Sequence, residues 1–219
     1  MKKIIAVIPA YNEELHIKEV IKETKKYVDE VIVVDDGSID ETFKNSSTAD
    51  FRLKHIVNMG KGLAMSTGFE AALKKGATIV VFIDADLQHD PKDIVPLLNK
   101  INQGNYQLVT GVRKFNKSMP FILRFGNKFL RSSFNFLYNS NIADFSNGLR
   151  AIKTEIYNKI KWNSEGYSVE TEMLAKARKH KLKVGQIPIE TIYLNKVKGT
   201  TVFDGIKIFS MMVYWRIFG

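Results

Sequence analysis

The stretch VVFIDADLQHDP, residues 80–91, decides the fold because an unbroken apolar run passes directly into three carboxylates, an amide and a histidine. Valine, isoleucine and phenylalanine without polar alternation predict a strand buried on both faces, as in a parallel sheet covered by helices. Ligands of open α/β sheets bind at the carboxyl ends of the strands, so these acids lie where chemistry is expected. Asp84 and Asp86 stand two residues apart where the strand breaks, which suits a shared divalent cation.

Two earlier strand ends have the same character. Residues 31–34 (VIVV) lead into DDGSIDET, and residues 4–8 (IIAVI) lead into PAYNEE, in which Asn12 is predicted to cap a helix. Three acidic strand ends in the first part of the chain, each at the same end of a βα unit, indicate one shared pocket.

Four motifs now stand in a fixed order, namely PAYNEE, VVDDGSIDET, NMGKGLAMSTGF and DADLQHDP. Together they resemble the nucleotide-sugar glycosyltransferases of family 2 with the GT-A fold, and within that family the dolichyl- or polyprenyl-phosphate mannosyl- and glucosyltransferases. The resemblance is strong over residues 4–113 and continues more weakly through NGLR (147–150) and QIPIETIY (186–193). It implies an α/β fold with a Rossmann-like, mostly parallel sheet flanked by helices.

The periodicity predicts alternating strands and helices up to about residue 112. The predicted strands are 3–8, 30–34, 53–57, 78–83 and 107–112, and the helices between them are 13–27, 39–47, 61–75 and 91–102. Later strands at 147–152 and 183–192, around a helix at 167–180, are expected to extend the sheet with antiparallel pairing. We expect a single domain over 1–219, with a nucleotide-sugar and metal half (1–113) and an acceptor and membrane half (114–219).

The donor side is assigned by chemistry, with the resemblance as support. An acid at a strand end accepts from a ribose hydroxyl or a base NH, and an aromatic ring offers a stacking surface. Lys61 lies in a glycine turn before a helix, which suits a phosphate contact, although a solvated lysine at a helix start is the alternative. The predicted nucleotide-sugar contacts are Pro9, Tyr11, Glu13, Asp36, Lys61, Asp84, Ala85, Asp86 and Gln88.

A divalent cation is expected beside the diphosphate. Asp84 and Asp86 are the predicted ligands, with Gln88 as an oxygen ligand or an orienting group, and the ion is Mg²⁺ or Mn²⁺. His89 is interpreted as a turn residue rather than a ligand.

The acceptor side needs cations, because a lipid monophosphate is already anionic and attacks without a strong general base. Arg113 follows a strand and is the first choice for the phosphate clamp, joined by Arg124, Arg131 and Lys196. Lys196 stands where mannosyl relatives have an arginine, and Val202 stands where they have a lysine. This departure weakens a GDP-mannose assignment.

Composition limits the remaining classes. Residues 1–100 carry 14 Lys and Arg against 16 Asp and Glu, whereas residues 101–219 carry 19 against 7. A basic second half suits an anionic acceptor or surface. The sequence pI of about 9.6 alone suggests nucleic-acid binding. No recognisable nucleic-acid motif accompanies it, and acidic strand ends repel phosphates unless a metal is present, so we expect no nucleic-acid partner.

Two segments are candidates for membrane contact. Residues 121–137 place Arg124, Asn127, Lys128, Arg131 and Asn135 on one helix face with aromatic residues around the rest, although a core-facing helix is the alternative. Residues 203–218 are apolar but interrupted by charge, too short to cross a bilayer, and predict an interfacial helix with Tyr214 and Trp215 near headgroup depth. The short apolar run after Lys3 does not match a signal peptide, and cysteine is absent. We expect a peripheral protein on the cytoplasmic face of the membrane.

The sequence therefore predicts an inverting, metal-dependent transfer of a hexose from a nucleotide diphosphate sugar, of the GDP-mannose or UDP-glucose type, to a polyprenyl or dolichyl phosphate at the cytoplasmic membrane face. Three alternatives stay open. A family 2 enzyme acting on a saccharide hydroxyl would need a carboxylate base, for which Asp144, Glu170 and Glu172 are the candidates. The other two are a nucleic-acid-binding protein and a catalytically silent sugar-nucleotide sensor.

Overall fold

The computed structural model describes residues 2–113, 121–166, 168–190 and 202–218. Seven strands of this part form one sheet. They are β1 (Ile4–Ala10), β2 (Glu30–Asp35), β3 (Phe51–Lys54), β4 (Ile79–Phe82), β5 (Leu108–Arg113), β6 (Arg150–Lys153) and β7 (Val184–Ile189). The helices are α1 (Ile17–Thr24), α2 (Thr42–Asn45), α3 (Lys61–Lys74), α4 (Ile94–Gln103), α5 (Phe121–Tyr138), α6 (Tyr157–Ile160), α7 (Val169–Lys179) and α8 (Val202–Ile217).

The strand order is β3-β2-β1-β4-β6-β5-β7. The first four strands are parallel, which confirms the predicted mostly parallel α/β sheet. β6 runs antiparallel to both β4 and β5, as expected for a late strand. The same expectation is wrong for β7, which pairs parallel with β5. The reason is that α7 returns the chain to the edge where β5 begins, where the backbone NH of Gln107 donates to the carbonyl of Lys183.

Both faces of the sheet are buried, as the apolar strand runs predict. Alternate residues of β1 enter two different cores: Ile5 and Val7 face the side of α3, α5, α7 and α8, while Ala6 and Ile8 face the side of α1 and α4. β2 alternates in the same way. The strand period of two therefore distributes one apolar run between two helical layers.

Several predicted boundaries differ from the structure. α1 begins at Ile17 rather than at residue 13, because Asn12 has a positive φ of 53° and its side-chain oxygen accepts from the backbone NH of Ile39 instead of capping the helix. The predicted strand 53–57 lies at Phe51–Lys54, and the predicted helix 39–47 shortens to Thr42–Asn45. The short helix α6 was not predicted.

α5 and α8 combine a core-facing side with an exposed side. Leu130, Phe134 and Tyr138 of α5 are buried, and the Tyr138 hydroxyl donates to the carbonyl of Met212 in α8. Phe129 and Phe136 are exposed on α5, as are Ile206, Tyr214, Ile217 and Phe218 in or just after α8. The expected headgroup position of Trp215 is wrong, because this ring packs in the core at 5% exposure. No helix in the described part of the chain has both the length and the hydropathy of a membrane span.

Candidate active site

The carboxyl ends of β1, β2 and β4 lie side by side at one edge of the sheet. Ala10 is in register with Asp35, and Val7 is in register with Phe82, two residues before Asp84. The antiparallel β6 begins at this edge, where Arg150 is in register with both Phe82 and Thr110. The three acidic strand ends therefore share one edge, as the order of the βα units predicts.

Lys61 is the centre of a buried ionic cluster at this edge. Its Nζ lies 2.7 Å from Asp84 Oδ1 and 2.8 Å from Glu170 Oε1. Burial opposes the charge on Lys61, but the two carboxylates outweigh it and raise the pKa of this amine. Burial likewise opposes the charge on Asp84, yet Lys61 and His89 hold the pKa of Asp84 well below its usual range. The negative charges of Asp84 and Glu170 are thus compensated by the ammonium of Lys61.

His89 and Gly148 complete the surroundings of Asp84. His89 is buried, and its Nε2 lies 3.5 Å from Asp84 Oδ2, so it contacts a site carboxylate in addition to standing in the turn. A side chain at Gly148 would overlap the Asp84 carboxylate, which explains a glycine in the NGLR stretch. Sequence reasoning did not single out Gly148, because the contact comes from the antiparallel β6 side of the sheet.

Asp86 has a different environment from Asp84. Its Oδ1 accepts from the backbone NH of Gln88 at 3.1 Å across a turn in which Leu87 has a φ of 59°. Within the described ranges no cationic side chain forms an ion pair with Asp86. Burial and the nearby Asp84 raise the pKa of this carboxyl, while the NH of Gln88 and the side chain of His89 oppose that effect, so among the described residues the charge of Asp86 is left uncompensated by an ion pair.

The donor set at Asp86 fits a divalent cation bound together with phosphates. No three acidic, histidine or cysteine side chains of the described residues form a ligand cluster. Mg²⁺ is usually held by one or two carboxylates, with its other positions given to water and substrate phosphates. The uncompensated charge of Asp86 and the half-buried Gln88, which follows the buried Ala85, provide such a partial site.

Asp36 has partners within the protein. Its Oδ1 accepts from the backbone NH of Met59 at 3.0 Å and contacts His55 Nδ1 at 2.7 Å, and its Oδ2 accepts from the NH of Gly60 at 2.8 Å. Asp36 therefore fixes the turn that leads to Lys61. Its predicted contact with the nucleoside stays a prediction.

The remaining predicted donor residues lie around the ends of β1. Pro9 is the penultimate residue of β1 and Tyr11 follows the strand with 44% exposure, so its ring is available for stacking. Glu13 Oε2 contacts His16 Nδ1 at 2.9 Å.

Arg113 ends β5 and is held by a carboxylate. Its Nε donates to Asp144 Oδ2 at 2.7 Å and its Nη2 donates to Asp144 Oδ1 at 3.0 Å, with a further bond to Ser146 Oγ at 2.8 Å. Burial opposes the charge on Asp144, but Arg113 lowers the pKa of this carboxyl. Arg113 keeps 40% of its side chain exposed despite this pairing. Arg131 is half-buried on α5, whereas the Arg124 side chain and Lys196 lie outside the described residues.

Glu172, the third candidate base, uses both carboxylate oxygens in hydrogen bonds and an ion pair. It accepts from the backbone NH groups of Asn163 and Ser164 and from the Ser164 hydroxyl, and pairs with Lys176 at 2.7 Å. Burial opposes its charge, but Lys176 and Ser164 lower the pKa of Glu172. Asp144, Glu170 and Glu172 each have an ionic partner, so the structure brings none of them to the site as an uncompensated base.

Arg150 is a site-region residue that sequence reasoning missed. The side chain is wholly buried, and it donates to the carbonyl oxygens of Glu170 and Asn147. Burial lowers the pKa of Arg150, while Glu170, Asp84 and Asp144 oppose that effect. The sequence signal for a buried arginine is a basic residue at the start of an apolar strand, as in NGLRAI.

Comparison with known proteins identifies the class. The sequence model of glycosyl transferase family 2 matches residues 5–161. The chain belongs to this family of glycosyltransferases. Its sheet order and acidic strand ends agree with the GT-A fold that the family resemblance implied.

Individual relatives span nearly the whole chain. An uncharacterized protein of Methanocaldococcus jannaschii, MJ1222, is 35% identical over 99% of this chain and 93% of its own length. A UDP-N-acetylglucosamine–dolichyl-phosphate N-acetylglucosaminyltransferase of Methanococcus voltae is 34% identical over 99% of this chain and 97% of its own. The fold is similar to that of glucosyl-3-phosphoglycerate synthase from Mycobacterium tuberculosis in complex with UDP, with a TM-score of 0.79, 21% identity and coverage of 100% of this chain and 81% of that one.

Proposed function

We propose that this glycosyltransferase transfers one hexose-type sugar, with inversion, from a nucleotide diphosphate sugar to a polyprenyl or dolichyl phosphate at the cytoplasmic face of the membrane. The observation that carries the proposal is the pairing of all three candidate bases, Asp144, Glu170 and Glu172. A carboxylate held in an ion pair is a poor proton acceptor near neutral pH. A lipid phosphate needs no such acceptor, because it is already anionic.

Donor binding is assigned to the edge formed by β1, β2 and β4. Asp86, with Asp84 and Gln88, would hold Mg²⁺ or Mn²⁺, and the bound ion supplies positive charge to the departing diphosphate. Lys61 stands at the start of α3 beside Asp84, where an ammonium and a helix N-terminus both favour phosphate. Pro9, Tyr11, Glu13, Asp36 and Ala85 complete the proposed nucleotide-sugar contacts.

Acceptor binding is assigned to Arg113 with the basic residues of the second half. Asp144 holds the guanidinium of Arg113 in one plane at the end of β5, which sets its orientation before a phosphate arrives. Arg124, Arg131 and Lys196 are proposed to add positive charge. Inversion follows from a single displacement without a covalent sugar intermediate.

The exposed sides of α5 and α8 support peripheral membrane contact. Phe129 and Phe136 are exposed on α5, and Tyr214 and Phe218 are exposed at the end of the chain. Lys128 and Lys207 are exposed on the same two helices. Aromatic rings beside lysines suit an anionic interface, where a lipid acceptor also lies.

The donor sugar is proposed from the relatives. The Methanococcus voltae relative is named for UDP-N-acetylglucosamine and dolichyl phosphate. The departure at Lys196 and Val202 also argues against GDP-mannose. UDP-N-acetylglucosamine is therefore the donor to test first, ahead of UDP-glucose and GDP-mannose.

The test is transfer of label from each of these three sugar nucleotides to polyprenyl phosphate in detergent micelles with Mg²⁺ or Mn²⁺. We expect one donor to give an organic-soluble labelled lipid, and none to do so with Asp86→Asn or with EDTA. Label that remains water-soluble with all three donors, but appears on an added oligosaccharide, would contradict the lipid acceptor.

A further inference from the structure

The turn that carries Lys61 is covered by a second segment, residues 162–165, which we term the cover segment. The backbone NH of Gly62 donates to the carbonyl of Glu165 at 2.6 Å, and the Trp162 indole NH donates to the carbonyl of Gly62 at 2.7 Å. Trp162 is buried against Phe69 and Phe82, so the cover segment is anchored in the core. The start of α3 is therefore tied to the cover segment through both backbone groups of Gly62, the residue after Lys61.

The glycines on either side of Lys61 are a consequence of this contact. A Cβ at Gly60 would overlap the carbonyl oxygen of Glu165, and a Cβ at Gly62 would overlap that of Ser164. Gly60 also has a φ of 91°, which side chains with a Cβ rarely adopt. The Gly-Lys-Gly sequence thus fits a close backbone approach by the cover segment.

Glu172 in turn holds the cover segment. Its carboxylate accepts from the NH of Asn163 at 3.0 Å, the NH of Ser164 at 2.9 Å and the Ser164 hydroxyl at 2.6 Å. The side chain is buried at 1% exposure and pairs with Lys176 one turn along α7. Only a carboxylate offers enough acceptor positions for these donors, since an amide has a single acceptor oxygen.

We propose that Glu172 is a positioning residue for Lys61. Glu172 bonds the cover segment, and the cover segment fixes the turn from which Lys61 reaches Asp84 and Glu170. Buried ion pairs such as Glu172–Lys176 can often be replaced by apolar side chains without loss of stability. A role in orienting the cover segment therefore explains the charge of Glu172 better than stability does. The inference rests on the proposed function in one respect, namely that Lys61 contacts the donor diphosphate.

The test is a double-mutant cycle of Glu172→Gln with Lys61→Met. The readout is the Kd of UDP, and of GDP in parallel, measured by titration calorimetry in Mg²⁺. We expect Glu172→Gln to raise the Kd about tenfold in the wild-type background and less than twofold in the Lys61→Met background. Glu70→Gln is the matched control, since it neutralises an acid on α3 that bonds Lys161 and Tyr157; its Kd should stay within twofold of the wild type.

The possible outcomes distinguish the positioning role of Glu172 from the contact of Lys61 with the diphosphate. An effect of Glu172→Gln that is equal in both backgrounds, or a lowered melting temperature with unaltered Kd, would overturn the positioning role while leaving Lys61 in the donor site. If Lys61→Met leaves the Kd unaltered, Lys61 does not contact the diphosphate and both the assignment and this inference fail. Should Glu172→Gln not fold, Ser164→Ala removes only the hydroxyl bond and is expected to raise the Kd two- to threefold in the wild type alone. Calorimetry needs no acceptor, so failure of the lipid acceptor would leave this result interpretable.

Discussion

The regions proposed to bind the donor (the donor region) and the acceptor (the acceptor region) use ion pairs in different ways. In the donor region, at the ends of β1, β2 and β4, Lys61 compensates Asp84, while Asp86 two residues later has no cationic partner within the described part of the chain. In the acceptor region, at the end of β5, Asp144 holds Arg113, which stays 40% exposed. One region therefore presents an uncompensated carboxylate, and the other presents an oriented cation.

This difference matches the charges that the two proposed ligands would bring. A metal with a diphosphate needs a carboxylate whose charge is not already neutralised, as at Asp86. An anionic acceptor needs a cation that is fixed in direction, as at Arg113. In the donor region the proposed ligand-binding carboxylate, Asp86, lies outside the Lys61–Asp84 pair, whereas in the acceptor region the proposed ligand-binding group, Arg113, is a member of the pair.

The largest expected effect comes from removing the uncompensated carboxylate. Asp86→Asn should lower kcat/KM by about 10³ or more, about 4 kcal/mol, because the charge that would hold the metal is lost. Folding should persist, since this change removes a half-buried charge that has no cationic partner among the described residues. Steady-state transfer in Mg²⁺ checks it, with Asp90→Asn as a control that keeps the cap bond to the NH of Lys92. If Asp86→Asn turns over at a rate near that of the wild type, the assignment of a metal ion to Asp86 is wrong.

A smaller effect is expected from the acceptor region. Arg113→Lys keeps the charge but loses the planar fork that meets Asp144, so kcat/KM for the lipid should fall about tenfold, about 1.4 kcal/mol. The Kd of the sugar nucleotide should be almost unchanged, which calorimetry checks beside kinetics in polyprenyl phosphate. A large loss of nucleotide affinity with an unaltered acceptor KM would move Arg113 to the donor region and erase the contrast between the regions.

Membrane contact should depend on the exposed side of α5 and α8. Phe136 is 88% exposed, so Phe136→Asp should reduce partitioning onto anionic vesicles about fivefold, about 1 kcal/mol of lost apolar burial. Rising salt should weaken the binding further, because the lysine contribution is screened. Leu15→Asp is a control at an equally exposed apolar position before α1. Equal losses from both variants in a sedimentation assay would show that this side is not the contact surface.

The smallest expected effect is on the pH dependence of stability. Arg113 lowers the pKa of Asp144 from its usual 3.8, so this pair stabilises the fold fully above that pH. Its contribution is lost as the pH falls through the lower pKa of the folded state. Asp144→Asn should therefore have a free energy of unfolding that declines less steeply below pH 3.8, measured by urea denaturation. An unchanged acid slope would mean that the pair contributes nothing.

The two regions also differ in how far the sequence predicts them. The shared edge of the donor region could be predicted because its residues follow parallel strands, whose carboxyl ends meet by topology, whereas its contacts with a ligand stay a prediction. Asp84 and Asp86 follow the end of β4 within four residues, and Lys61 is the first residue of α3. The sequence does not show that Lys61 pairs with Glu170, since that contact joins residues far apart in the chain.

The acceptor region was less predictable for physical reasons. Asp144 was considered as a base, and its bidentate pairing with Arg113 depends on an irregular connection before the antiparallel β6. Helical periodicity marked residues 121–137 as amphipathic, yet it does not tell which apolar side chains meet the core. Phe134 is buried and Phe136 exposed because α8 and α7 cover only one side of α5.

The central claim is that an anionic lipid phosphate, rather than a hydroxyl activated by a base, accepts the sugar. The most direct measurement compares polyprenyl monophosphate with polyprenol of the same chain length, using the labelled donor on which the enzyme is active. We predict transfer to the monophosphate and none to the alcohol. Comparable transfer to polyprenol, or to a saccharide hydroxyl, would contradict the claim, because an alcohol acceptor needs a carboxylate base.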